Sequence, residues 1–124
     1  MKLNAAQSLN FIFMLRIDIN NPNLTLRNRP TNWGSGVLLY NGINFTGIVF
    51  EYYPNTTQLS SESEYKDGII HGYQVEYWSN GNKRIEYYEK FDKLIGSIKE
   101  WNEQGILISH QEFDEFGNWV KTIL

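Results

Sequence analysis

The chain contains no cysteine. That absence excludes a disulfide framework and a thiolate zinc site, and it fits a reducing compartment. Histidine is scarce as well. His71 and His110 are the two in the chain, and neither has a second histidine at ligand spacing. No serine lies in a nucleophile-elbow pattern. Gly34-Ser35-Gly36 lacks the glycine spacing and the following helix of a phosphate loop. No window shows a helical period with caps. Long apolar runs are missing too. Phe11-Ile12-Phe13-Met14-Leu15 is cut off by Arg16 and Asp18, short of the roughly 7–15 residues of an export signal and the about 20 of a membrane span. These absences lead to the expectation of a cytoplasmic protein with no enzymatic activity, no metal and no cofactor.

What is present is aromatic and unevenly charged. Aromatic residues make up 15% of the 124 positions, and they favour strands and supply contact area at interfaces. Residues 1–46 hold four basic side chains and one acid, whereas residues 47–124 hold seven basic side chains and thirteen acids, a net of −6. The larger segment should repel nucleic acid and anionic membranes and attract a basic partner. The basic residues Lys2, Arg16, Arg27 and Arg29 are scattered and lack the interleaved aromatics of a nucleic-acid stacking platform.

The strongest signal is repetition. Gly47, Gly72 and Gly96 open segments that align with one another. Four residues on stand Glu51, Glu76 and Glu100. Five on stand Tyr52, Tyr77 and Trp101, and eight on stand Asn55, Asn80 and Gln104. A truncated earlier copy, Tyr40-Asn41-Gly42 with Phe45-Thr46-Gly47, matches Tyr65-Lys66-Asp67-Gly68 with Ile70-His71-Gly72. Each unit reads as strand, turn, strand, turn. Asn80-Gly81 and Asp67-Gly68 are hairpin signals, because both residues accept positive φ. A unit of this size cannot bury a face alone and needs its neighbours. The spacing predicts an all-β fold, a continuing antiparallel meander of hairpin repeats over residues 37–124. Residues 1–36 form a separate segment of strands and loop.

The residues Phe45-Thr46-Gly47, Glu51-Tyr52-Tyr53-Pro54-Asn55, Glu76-Tyr77-Trp78-Ser79-Asn80-Gly81 and Glu100-Trp101-Asn102-Glu103-Gln104-Gly105 resemble the variant MORN repeats and, within them, bacterial YwqK-like antitoxins. The resemblance implies an extended, twisted antiparallel meander of MORN-like β-hairpins and an immunity or antitoxin role, in which the protein neutralises a cognate toxin by stoichiometric binding. MORN proteins elsewhere imply a second reading, a scaffold associated with lipid or membrane; the acidic repeats oppose it. The chain departs from the repeat pattern at Thr56, at Asn102 and in the glycine-free linker Lys90–Ile95, where a bend or bulge is expected.

If the hairpins stack in register, Glu51, Glu76 and Glu100 share one face, and strand alternation puts Tyr53 and Trp78 with them. Two readings stand side by side. The acids and aromatics form a surface for a basic protein, such as a nuclease toxin, or the acids pair with Lys83, Arg84 or Lys99 on a solvated face. The opposite face, with Ile48, Phe50, Tyr52, Tyr73, Val75, Tyr77 and Trp101, reads as core. Its cover would be the N-terminal strands, through Phe11, Phe13, Leu15 and Ile17, or a second copy in a homodimer.

Overall fold

A computed structural model describes residues 14–28 and 36–124, and among these all regular structure is β. The strands in chain order are β1 (Arg16–Asp18), β2 (Leu24–Arg27), β3 (Val37–Tyr40), β4 (Ile43–Asn44), β5 (Gly47–Tyr52), β6 (Leu59–Lys66), β7 (Ile69–Tyr77), β8 (Lys83–Lys90), β9 (Lys93–Trp101), β10 (Leu107–Phe113) and β11 (Trp119–Thr122). From β5 to β11 each strand pairs antiparallel with the next, giving the expected meander. β1 adds to the outer edge of β5 in parallel. A second sheet of order β2-β3-β4 packs at the β1 end. β2 pairs with β3 along Leu24–Arg27, so hydrogen bonds cross from residues 1–36 into residues 37–124.

From β5 to β10 the hairpins of the long sheet use two kinds of turn at opposite ends, and the β10–β11 turn, Asp114–Asn118, is of the longer kind at the end that otherwise carries the short one. At one end, Asp67-Gly68 and Phe91-Asp92, like Asn41-Gly42 in the small sheet, are two-residue turns with both residues at positive φ, the geometry that matches the strand twist. At the other end the turns are longer. In the Trp78–Asn82 turn Gly81 has a φ of 93° and Asn80 does not reach the left-handed region. The Asn-Gly signal therefore found the turn and missed its type. Asn80 instead accepts from the Asn82 N–H through Oδ1, at 2.9 Å.

Two expected irregularities fall elsewhere. The glycine-free linker makes a regular tight turn, with Phe91 and Asp92 forced to φ of 48° and 67°. Register shifts follow Glu51 in β5 and also Glu76 in β7, where the turn glycine is retained. Loss of glycine is therefore not their cause. They fit the passage from a straight ladder into the longer turn, where an extra residue increases the local twist.

The core lies at the N-terminal end. Ile17, Phe45 and Val49 are buried, with Leu24, Leu38, Tyr40 and Tyr65 packed around them. The Phe45 ring meets Tyr40 and Tyr65 edge-on, each at 6.2 Å between centroids, a favoured aromatic geometry. Gly68, at a φ of 83°, lets the small sheet close on the large one. Leu38 N–H donates to its carbonyl and its own N–H donates to Phe45 O, and a Cβ there would collide with Val37.

This placement corrects the expected core. Ile17 and Val49 stand opposite each other across β1 and β5, on the same face as Glu51 two residues along β5. The cover comes from β2, β3 and Phe45, and it lies over the glutamate-bearing face. β1 joins the sheet as an edge strand instead of lying across it. Phe11 and Phe13 lie outside the described residues, and Leu15 is exposed.

Candidate protein-binding face

The register assembles the glutamates into one row. Glu51 stands opposite Ser61, Ser61 opposite Glu76, Glu76 opposite Ile85, Ile85 opposite Glu100 and Glu100 opposite Ser109. The three acids occupy alternate strands, about 10 Å apart from the usual strand spacing. All three are exposed. Among the described residues none of them makes an ion pair. Their mutual repulsion is small, about 0.4 kcal/mol per neighbouring pair in water before salt screening. The row can therefore stand without counter-charges.

A second row on this face lies one step along the strands: Val49, Ser63, Gln74, Tyr87, Ile98 and Gln111. Gln74 is buried and donates from Nε2 to Glu64 O at 3.1 Å. The tyrosines here have acidic surroundings. Burial pushes the Tyr65 hydroxyl up, and Asp92 and Glu89 push it further. Burial raises Tyr87 as well, followed by Glu89, Glu76 and Tyr65. Burial first, then Asp92, raises Glu89. No basic side chain contributes at any of these three groups.

The opposite face holds acids of a different kind. Glu62, Glu86 and Glu112 each bind a base and a hydroxyl. Glu62 takes Arg16 and accepts from the Tyr77 hydroxyl at 3.3 Å. Glu86 takes Lys83 at 2.7 Å and accepts from the Tyr73 hydroxyl at 2.5 Å. Glu112 takes His110 at 2.7 Å and accepts from the Ser97 hydroxyl at 2.8 Å. Lys83 also stands 5.8 Å from the rings of Tyr73 and Trp101, and Arg16 lies 5.0 Å over Phe50. At Glu86 burial pushes the carboxyl up, but the hydrogen bonds from Lys83 and Tyr73 outweigh it and hold the group below the usual carboxylate range. Burial and the bond to Glu86 push the Tyr73 hydroxyl up to about 12.

This corrects both readings of the opposite face and of the lysines. Val75 is buried there, but Phe50, Tyr73, Tyr77 and Trp101 are partly exposed and laced with charge. Lys83 pairs with Glu86, and Lys99 stands opposite Glu86 and His110. Neither lysine serves the glutamate row. Arg84 lies 5.1 Å over the Trp78 ring.

Tyr53 and Trp78 do not join the row. The register shifts after Glu51 and Glu76 break the alternation that would have put them there. Both instead link one hairpin to the next at the long-turn end. The Tyr53 hydroxyl donates to Tyr77 O at 2.5 Å, and Trp78 Nε1–H donates to Trp101 O at 3.0 Å. Asn80 and Asn82 add amide bonds to Glu103 O. Asn102, at the corresponding place in the last copy, binds its own turn through Gln104 N–H and Ile106 N–H.

Sequence reasoning missed the three carboxylate, hydroxyl and base groups. The 24-residue spacing of Glu62 and Glu86 was a visible signal. Their partners come from different strands, and only the register brings these together. The histidines have structural contacts. His71 Nδ1 accepts from Phe91 N–H at 3.3 Å, under the Phe91 ring. Ser97 gives its proton to Glu112 while His110 presents the same nitrogen, Nε2, to both. A relay would need the serine hydroxyl on one ring nitrogen and the carboxylate on the other.

No helix among the described residues is long and apolar enough to cross a membrane. Comparison with protein-family models, curated proteins and solved structures finds no match to this chain.

Proposed function

We propose that this chain is a protein-binding module that captures a basic protein on its glutamate face, and that it serves in the cytoplasm as the antitoxin or immunity partner of a toxin. The observation that carries the reading is the unpaired row of Glu51, Glu76 and Glu100 on a sheet whose other face pairs Glu62, Glu86 and Glu112, while Glu64 there lacks a base among the described residues. A carboxylate already held by a base has little left for a partner, whereas an exposed one can form a charge pair across an interface and steer association. Blocking a basic cleft in this way needs complementarity and no chemistry of its own. The antitoxin role rests on the resemblance to MORN-type antitoxins. A lipid scaffold is disfavoured because anionic headgroups would meet carboxylates on this face.

The test is co-expression with the product of the adjacent gene, followed by purification and a toxicity assay. The proposal expects a one-to-one complex and relief of toxicity. A toxic neighbour that is neither bound nor neutralised would sink it, and salt-sensitive binding to anionic vesicles would favour the scaffold.

A further inference from the structure

At the tight-turn end the β8–β9 turn and the β10–β11 turn form the walls of an open cleft of about 350 Å³, lined by Lys90, Phe91, Lys93, Glu115 and Phe116. Its volume falls at the small end of small-molecule sites. Gly117 brings the second wall close, because a Cβ there would lie 3.7 Å from Lys93 Cβ. Phe91 and Phe116 are 51% and 69% exposed, so the rims are apolar and open to a ligand.

Two features of this cleft cost stability. Lys90 and Lys93 stand directly opposite each other in the ladder, and like charges so placed are destabilising. Among the described residues neither makes an ion pair. Phe91 holds a φ of 48°, a left-handed conformation that is an outlier for a bulky side chain. The other two tight turns put Asn41 and Asp67 at that position, residues that tolerate it. Local rules broken together at one cleft are the mark of a binding site.

We propose that this cleft binds a small anionic aryl compound, with the anion between Lys90 and Lys93 and the ring between Phe91 and Phe116. The paired ammonium groups supply the charge that an anion relieves, and the Glu115 carboxylate on the facing wall repels the anion and so confines it to the lysine side. The site is separate from the glutamate row and does not depend on it.

The experiment is titration of the full chain, followed by amide NMR, with phenyl phosphate, benzoate, inorganic phosphate and benzyl alcohol. Saturable shifts at Phe91, Lys93 and Gly117 are expected with phenyl phosphate or benzoate, whichever headgroup the lysines prefer. Binding of inorganic phosphate and of benzyl alcohol should be weaker by about tenfold or more. K90A/K93A should weaken aryl-anion binding by about tenfold. F91N should raise the unfolding midpoint by about 2–4 °C, since asparagine suits this turn, and should weaken binding. No saturable shift up to about 10 mM would overturn the proposal, as would binding indifferent to K90A/K93A. A fall in the midpoint with F91N would also count against it, by showing that the ring is there to pack on His71.

Discussion

The two faces of the long sheet carry acids in similar number and hold them differently. Glu62, Glu86 and Glu112 sit in closed groups, each with a base and a hydroxyl. Glu51, Glu76 and Glu100 sit in an open row with serines and an isoleucine between them. The closed groups tie neighbouring strands together and contribute to stability. The open row contributes little to stability and stands exposed without counter-charges among the described residues. What stabilises the glutamate face is apolar cover, concentrated at the end where Phe45 and the small sheet close over Ile17 and Val49.

The largest effect should come from removing that cover. Phe45 is 2% exposed, and F45A should lower stability by about 3–5 kcal/mol in urea unfolding. A loss of under about 1 kcal/mol would show that the face is held by something else. Next come the closed groups. E86Q should cost about 1 kcal/mol, discounted because its Lys83 partner is 45% exposed. W78F should cost a similar amount, about 1 kcal/mol, by leaving the Trp101 carbonyl without its donor.

The pH dependence sharpens the comparison further. Glu86 and Glu112 are held below the usual carboxylate range: at Glu86 the hydrogen bonds from Lys83 and Tyr73 outweigh burial, and at Glu112 the bond from Ser97 leads, with His110 adding to it. Their folded values lie below the unfolded ones. Their stabilisation is therefore complete above the unfolded value, about 4.3, and is lost as pH falls through the folded one. Glu89 runs the other way, raised by burial and then by Asp92. Its charge opposes folding at neutral pH, and that cost fades on acidification. E89Q should therefore stabilise the protein at pH 7 and make no difference at pH 3. Urea midpoints at both pH values check the pair. The smallest effect is expected at the open row, where E76Q should change stability by less than about 0.5 kcal/mol.

Much of the fold was legible in the sequence. The repeat of Gly47, Gly72 and Gly96 predicted the meander, and the alignment of Glu51, Glu76 and Glu100 predicted a shared face. Both follow from periodicity, which is local. Tyr53 and Trp78 were misplaced because alternation was carried through a register shift, and no residue type marks such a shift in advance. The core was assigned to one face alone: Val75 is buried there, but Ile17, Phe45 and Val49 are buried on the other, where the β1–β5 and β2–β3 pairings, distant in sequence, close the small sheet over them. Charge pairing had the same difficulty. Lys83 lies seven residues from Glu76 and three from Glu86, and only the strand register shows that it faces Glu86.

The open row is tested most directly by calorimetric titration of the adjacent gene's protein product into the wild-type chain and into E51Q/E76Q/E100Q, with unfolding midpoints measured alongside. The account predicts an unchanged midpoint and an affinity weaker by about a hundredfold or more, the scale of a few close charge pairs lost from an interface. Undiminished affinity in the triple variant would contradict it.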